Sequence, residues 1–477
     1  QHGGGVYADG AAVTVTVDTT ALIKSNTATL NGGGVYGTNS ATIKVKGTSV
    51  VESNTAVDGG GLYMLKATCQ VTSSTLKSNT ATGNGGGWHA DGSTMTLTDV
   101  TVTTNTAATN GGAGYMTKAV AGAGVASSVA LTGALSQLTS NTATAGGGGG
   151  IYFHDSTTGT ITSATLKSNT ATAGAGGGLY VSTSAVVTMA GAIIDGNIAG
   201  TDGGGVYVTG ASSKVTSTLA TTQIKNNKAI TAAGTGRGGG FALFAGAEVE
   251  LTAGTTTLNQ AKRGGGVYVD ASTFKMHTHT IGPTNKATVD DGGGLYLIGA
   301  TVSATTDLAS VIISNEAARH GGGVYMLSAA GTASYTLTGT NSKIESNTAV
   351  QHGGGVYADG AAVTVTVDDK ATIKSNTATL NGGGIYGANS ATIKVKGTGV
   401  VESNTAVDGG GLYMLKATCD VTSSTLESNS ASGNGGGWHV DGGTIKLTDV
   451  RMANNRAAGN GGAGVARNLT LAYIHSS

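Results

Sequence analysis

The residues that could carry chemistry are few, and their spacing decides most of the cases. His-Gly-Gly-Gly occurs at His2, His320 and His352 and matches the oxyanion-loop motif of esterases. The slot before the glycines also holds Asn31, Asp58, Asn84, Asp202, Arg237, Arg263 and Asp291 elsewhere, and no Gly-x-Ser-x-Gly elbow accompanies it. The slot therefore reads as a variable, exposed corner. The pairs Asp290-Asp291 and Asp368-Asp369 are the raw material of a polysaccharide-cleaving site, which needs several carboxylates with a His and a basic residue on one face. The Asn-Thr-Asp, Gly-His-Gly and Arg-Ile-Lys signatures of polygalacturonases are missing. His277-x-His279 would put two imidazoles on one strand face, a possible metal pair without a third ligand, and solvated histidines are the plainer reading. Calcium-binding glycine nonapeptides would need a periodic Asp, and none recurs. Cys69 and Cys419 lie at equivalent repeat positions and read as buried, inert thiols. Threonine pairs such as Thr14/Thr16 and Thr96/Thr98 would suit an ice-binding array, but Lys44/Lys46, Glu250 and Lys275/His277 interrupt it. No catalytic, cofactor or metal site is assigned.

What positions these residues is a repeat. Gly-Gly-Gly followed by an apolar residue and usually Tyr starts at Gly3, Gly32, Gly59, Gly85, Gly148, Gly176, Gly203, Gly238, Gly264, Gly292, Gly321, Gly353, Gly382, Gly409 and Gly435, with Gly-Gly-Ala-Gly forms at Gly111 and Gly461. These 17 marks are mostly 26–29 residues apart. A second mark, apolar-x-x-Asn, falls five to seven residues before the next glycines, as in Ile23-Lys-Ser-Asn26 and Ile344-Glu-Ser-Asn347. Between the marks the pattern alternates, as in Val13-Thr-Val-Thr-Val17 and Leu62-Tyr-Met64, which is the strand period. No helical period is sustained. The repeat predicts an all-β parallel solenoid of about 17 three-sided coils whose stacking buries a core that no single coil could bury.

Each mark has a structural reading. The glycines take positive φ at a corner and let coils stack without side-chain clash. The asparagines tolerate the left-handed region and can form an amide ladder, comprising Asn26, Asn54, Asn79, Asn105, Asn141, Asn169, Asn197, Asn315, Asn347, Asn376, Asn404 and Asn429. The tyrosines form an outward stripe: Tyr7, Tyr36, Tyr63, Tyr152, Tyr180, Tyr207, Tyr268, Tyr296, Tyr325, Tyr357, Tyr386 and Tyr413. The stripe either supports the sheet by stacking between coils or serves as a sticky surface for another protomer or a glycan. Trp88, Phe241, Val267 and Leu295, first after the glycines, point inward.

A longer period is superposed. Residues 1–100 and 351–450 differ at 14 positions, so twelve coils form a 350-residue super-repeat and residues 351–477 begin a second copy of it. The whole of 1–477 reads as one continuous solenoid. Residue 1 falls within a coil, which suggests a longer tandem array or a subunit stacking end to end.

Composition narrows the function. Gly makes up 83 of 477 residues, Pro only one, charged residues 11% and the formal net charge is zero. Collagen and coiled coils are excluded, no basic excess suits nucleic acid, and no apolar run is long enough for a transmembrane helix. Asn468-Leu-Thr470 is the one N-glycosylation sequon, and outward Thr and Ser offer O-linked sites.

The Gly-Gly-apolar and apolar-x-x-Asn pair is similar to the repeats of chlamydial polymorphic outer-membrane proteins, and to the wider class of right-handed parallel β-helix proteins on bacterial, algal and protist surfaces. The Phe of the chlamydial Phe-x-x-Asn is replaced here by Ile, Leu, Val or Met, as at Leu166, Val401 and Met452. The resemblance implies right-handed coiling and an extracellular address. Taken together, the expectation is a non-catalytic extracellular filament or surface fibre whose partner is itself. The alternatives are a surface adhesin binding glycans or other proteins along its sides and, third, a polysaccharide-active enzyme.

Overall fold

A computed structural model describes residues 1–119, 124–230, 235–299, 301–328, 331–469 and 471–475. The chain is all-β: a parallel β-solenoid of about 16 turns with four parallel sheets, and no helix among the described residues. Seventeen glycine marks delimit sixteen full turns, which accounts for the difference from the expected coil number. Two compact units are distinguished. One comprises Gln1–Gly236, Gly240–Ala242 and Gly246–Val249; the other comprises Arg237–Gly239, Leu243–Ala245 and Glu250–Ser477. Both are built from the same coil.

One coil of the first unit shows the plan. Val35–Thr38 follows the glycines, Thr42–Val45 forms the second side, Val50–Glu52 the third, and Thr55–Ala56 is a two-residue strand after the asparagine. The three expected sides are thus joined by a fourth, short ladder. The next coil repeats the plan in register: Val35 lies beside Leu62, Ile43 beside Cys69, Val51 beside Leu76 and Ala56 beside Ala81. Alternation sends one residue of each pair inward, so Val35, Ile43, Val45, Val51, Leu62, Met64, Cys69 and Leu76 are all fully buried. Trp88, Phe241, Val267 and Leu295 are fully buried too. The short ladder contributes a buried column of alanines, including Ala56, Ala81, Ala107 and Ala143.

The three glycines of a mark serve two different needs. Gly32 has a φ of 69°, a left-handed bend that favours glycine. At Gly33 a Cβ would lie 2.4 Å from the Gly60 carbonyl oxygen of the next coil, and at Gly34 it would lie 2.7 Å from that of Gly61. Backbone therefore occupies the space a side chain would need. The degenerate Gly-Gly-Ala-Gly mark at Gly111 has its own cause. Gly114 takes the inward position otherwise held by Val, Leu or Ile because the Trp88 indole fills it, and a Cβ there would sit 2.1 Å from the ring. The second unit repeats this fit with Trp438 and Gly464.

The bend beside each asparagine falls on the residue before it. Ser25, Ser53, Ser78 and Ser140 have φ between 54° and 57°, and Asn54 is not among the left-handed residues. The expectation that the asparagine itself takes this conformation is corrected. Its backbone N–H must point along the stack to the next amide, so the preceding exposed residue makes the turn.

Candidate functional site

Three columns of side chains run along the stack. The first is the asparagine ladder. Asn54 Oδ1 accepts from both the backbone N–H and the Nδ2 of Asn26, at 2.9 Å each. Asn54 Nδ2 donates to the Ile23 carbonyl and to Asn79 Oδ1, both at 3.0 Å. Both lone pairs and both amide hydrogens are used, so a buried primary amide is fully satisfied. In the first unit the same pattern links Asn79, Asn105, Asn141, Asn169, Asn197 and Asn227. In the second it links Asn259, Asn285, Asn315, Asn347, Asn376, Asn404, Asn429 and Asn455. Asn227, Asn259, Asn285 and Asn455 extend the sequence-derived set. Ile224-Lys-Asn-Asn227 and Met452-Ala-Asn-Asn455 carry the signal, whereas Thr256 replaces the apolar residue before Asn259, and Pro283 accompanies an extra residue before Asn285. The amide-to-amide bonds have a direction: each Nδ2 gives one hydrogen to the Oδ1 of the higher-numbered coil and the other to a carbonyl of the preceding coil.

The second column is aromatic. In the first unit, Tyr7, Tyr36 and Tyr63 stack with centroids 5.4 Å apart and nearly parallel planes. His89, Tyr115, Tyr152, Tyr180 and Tyr207 continue it. In the second unit Phe244, Tyr268, Tyr296, Tyr325, Tyr357, Tyr386, Tyr413 and His439 form the equivalent column at 4.6–5.5 Å. These rings leave the strand on the side away from the core, yet most are buried. Tyr7 is 53% exposed, but its super-repeat copy Tyr357, stacked on Tyr325, is only 9% exposed. An open sticky stripe is therefore not what most of the column presents, and its rings face one another. Burial raises the phenol pKa of Tyr115 and Tyr386 to about 12.

The third column is the slot before the glycines, expected to be an exposed corner. The structure corrects this: Asp202, Asp291 and His320 are buried. For the histidines the cause is packing on the next coil's aromatic. His2 lies 4.5 Å from Tyr36, His320 4.6 Å from Tyr357 and His352 4.7 Å from Tyr386. Arg237 lies over Tyr268 of the next coil at 5.4 Å and over Phe244 of its own coil at 4.5 Å. Burial lowers the His320 pKa to about 4 and raises that of Asp291 to about 6.

The remaining candidates are dispersed. His277 ends one strand and His279 begins the next, with Thr278 at a φ of 51° between them, so the two rings do not share a face. His277 Nδ1 meets Asp307 Oδ1 at 2.6 Å. His279, expected to be solvated, is fully buried, with Thr256 Oγ1 at 3.0 Å and the Ala253 carbonyl at 2.9 Å. Asp290 is held by Arg263 at 2.8 Å and Arg319 at 3.3 Å, and Asp368 pairs with Lys396 at 3.0 Å. Cys69 and Cys419 are free, fully buried thiols whose pKa burial pushes up to about 12. Asn468 is exposed and donates to Asp441 Oδ1 at 2.9 Å, while Thr470 of its sequon lies outside the described residues. Among the described residues no group of three His, Cys, Asp or Glu is placed to hold a metal ion, and no helix is long and apolar enough to cross a membrane.

No family model and no curated protein matches this chain.

Proposed function

We propose that the chain is a non-catalytic structural protein of an extracellular surface, one stretch of a filament or fibre built by repeating the 350-residue unit. The observation that carries this reading is the junction between copies, which lies inside the second unit. Where residue 351 restarts the sequence of residue 1, Tyr325 stacks on Tyr357 at 5.2 Å and 4°. Asn347 Nδ2 donates to Asn376 Oδ1 at 3.0 Å, and Ile344 lies beside Ile373. These values match those within a copy, such as Tyr7 on Tyr36 at 5.4 Å and 5°. The last coil of one super-repeat is thus complementary to the first coil of the next. Such a head-to-tail contact is heterologous, so nothing closes it and extension is open-ended. The directional amide ladder favours the same polarity, because donors meet acceptors only head to tail.

The likeness of the glycine and asparagine marks to chlamydial and other surface β-helix repeats supports the extracellular address. A formal net charge of zero with 11% charged residues suits lateral or axial self-association. Electron microscopy of native material tests the reading. Long fibres of uniform width are expected; isolated, monodisperse short rods would overturn it.

A further inference from the structure

The column before the glycines has a gap. Its side chain covers the aromatic ring of the next coil, as His2 covers Tyr36 and His320 covers Tyr357. In two consecutive coils of the first unit that position is held by Gly147 and Ala175. Nothing of imidazole size then covers Tyr180 and Tyr207, and Tyr152, Tyr180 and Tyr207 are only half-buried where Tyr36 and Tyr63 are buried. A cavity of about 330 Å³ opens there, walled by these three rings, with Asn110 and Asp202 lining it as well. That volume lies at the lower end of ligand cavities, roughly 300–1,000 Å³.

We propose that this notch binds a pyranose ring of a glycan. The inference goes beyond the structural role and does not depend on it. The cavity is larger than the imidazole found at this position in other coils, and has room for a pyranose chair with its apolar C–H face against the tyrosines. The rim is polar. Asn110 spends one amide hydrogen on Asn84 Oδ1 at 3.1 Å and one lone pair on the Gly147 N–H at 3.0 Å, which leaves one of each for sugar hydroxyls. A carboxylate has lone pairs enough to accept sugar hydroxyl hydrogens, and Asp202 lines the cavity.

The test is titration of the full chain with maltotriose, cellotriose and chitotriose by saturation-transfer NMR and calorimetry, with a parallel pull-down on insoluble glucan and chitin. At least one trisaccharide should bind in the millimolar range. Ala175→His, which installs the covering ring of the other coils, should weaken it at least about tenfold. Asp202→Asn, which keeps the shape, should weaken it about fivefold and serves if the first variant fails to fold. Retention on an insoluble polysaccharide without trisaccharide binding, abolished by the same variants, would assign an extended chain as the ligand. Absence of binding in every arm would overturn the proposal, as would binding that both variants leave unchanged. Displacement of bound sugar by free phenylalanine or tyrosine side-chain analogues at equal concentration would also overturn it, in favour of a protein side chain.

Discussion

Replacing Asn347 by Asp exchanges one NH₂ for an oxygen and leaves the shape unchanged. Asn347 Nδ2 donates to the Ile312 carbonyl and to Asn376 Oδ1, both at 3.0 Å, while its Oδ1 accepts from the N–H and Nδ2 of Asn315 at 2.9 and 3.0 Å. The variant keeps the accepting side. It turns the two donated bonds into oxygen–oxygen contacts: the Ile312 carbonyl loses the side-chain donor, and Asn376 Oδ1 keeps only the backbone N–H of Asn347 at 2.9 Å. A buried acceptor that loses its donor costs about 1–3 kcal/mol and one that keeps a second donor about 0.5–1.5, so the loss is about 1.5–4.5 kcal/mol before the charge is counted. A buried carboxylate adds several kcal/mol or takes up a proton. Because coils contact only their neighbours, the loss is expected locally, as faster amide hydrogen exchange across residues 312–376, together with a lower thermal midpoint. Asn341→Asp, on an exposed residue nearby, is the control and should stay within about 0.5 kcal/mol of the parent. Equal behaviour of the two variants would refute the claim that the amide ladder is a directional, fully satisfied network.

Three further outcomes follow from burial and backbone conformation. Burial lowers the His279 pKa to about 4, below its ordinary 6.5. The folded state therefore binds this proton less readily than the unfolded one, and its contribution, about 3 kcal/mol, is present above pH 6.5 and lost as the pH falls toward 4. Asp291, raised to about 6, acts in the opposite sense below that pH, so the readout is the difference in thermal midpoint between parent and His279→Gln, which should shrink the acid-dependent loss. Ser403 is exposed with a φ of 56°, a position that Gly196 fills without strain at 64°. Ser403→Gly should stabilise by about 0.5–1 kcal/mol in denaturant titration, whereas any destabilisation would contradict the assigned bend. The two cysteines should ignore a thiol reagent such as dithionitrobenzoate in buffer and both react in denaturant.

The sequence carried the solenoid because its marks are residues with few substitutes: Gly where backbone passes at van der Waals distance, Asn where an amide must both give and accept. The core followed from the two-residue alternation of stretches such as Val13–Val17. What stayed illegible was shorter than the pattern or depended on a neighbouring coil. Thr55–Ala56 is too short to show any period, and Asn-Thr-Ala reads equally well as a turn. The alternation sets Tyr36 and Tyr63 opposite in facing to Val35 and Leu62, but only the stacked neighbours and the covering side chain of the previous coil bury them. His277 and His279 have the spacing of a shared face, and the left-handed Thr278 between them removes it. The notch at Tyr180 and Tyr207 is visible in sequence only as small residues, Gly147 and Ala175, once the partner of that position is known.

Fibre diffraction from oriented native material tests the central claim most directly. Parallel coils rise about 4.8 Å each, so the twelve coils of the super-repeat span roughly 58 Å. The account predicts a meridional reflection near 4.8 Å together with an axial repeat near 58 Å or a small multiple of it. A sample that yields only short, monodisperse rods, or fibres with the strong spacing perpendicular to the axis, would contradict it.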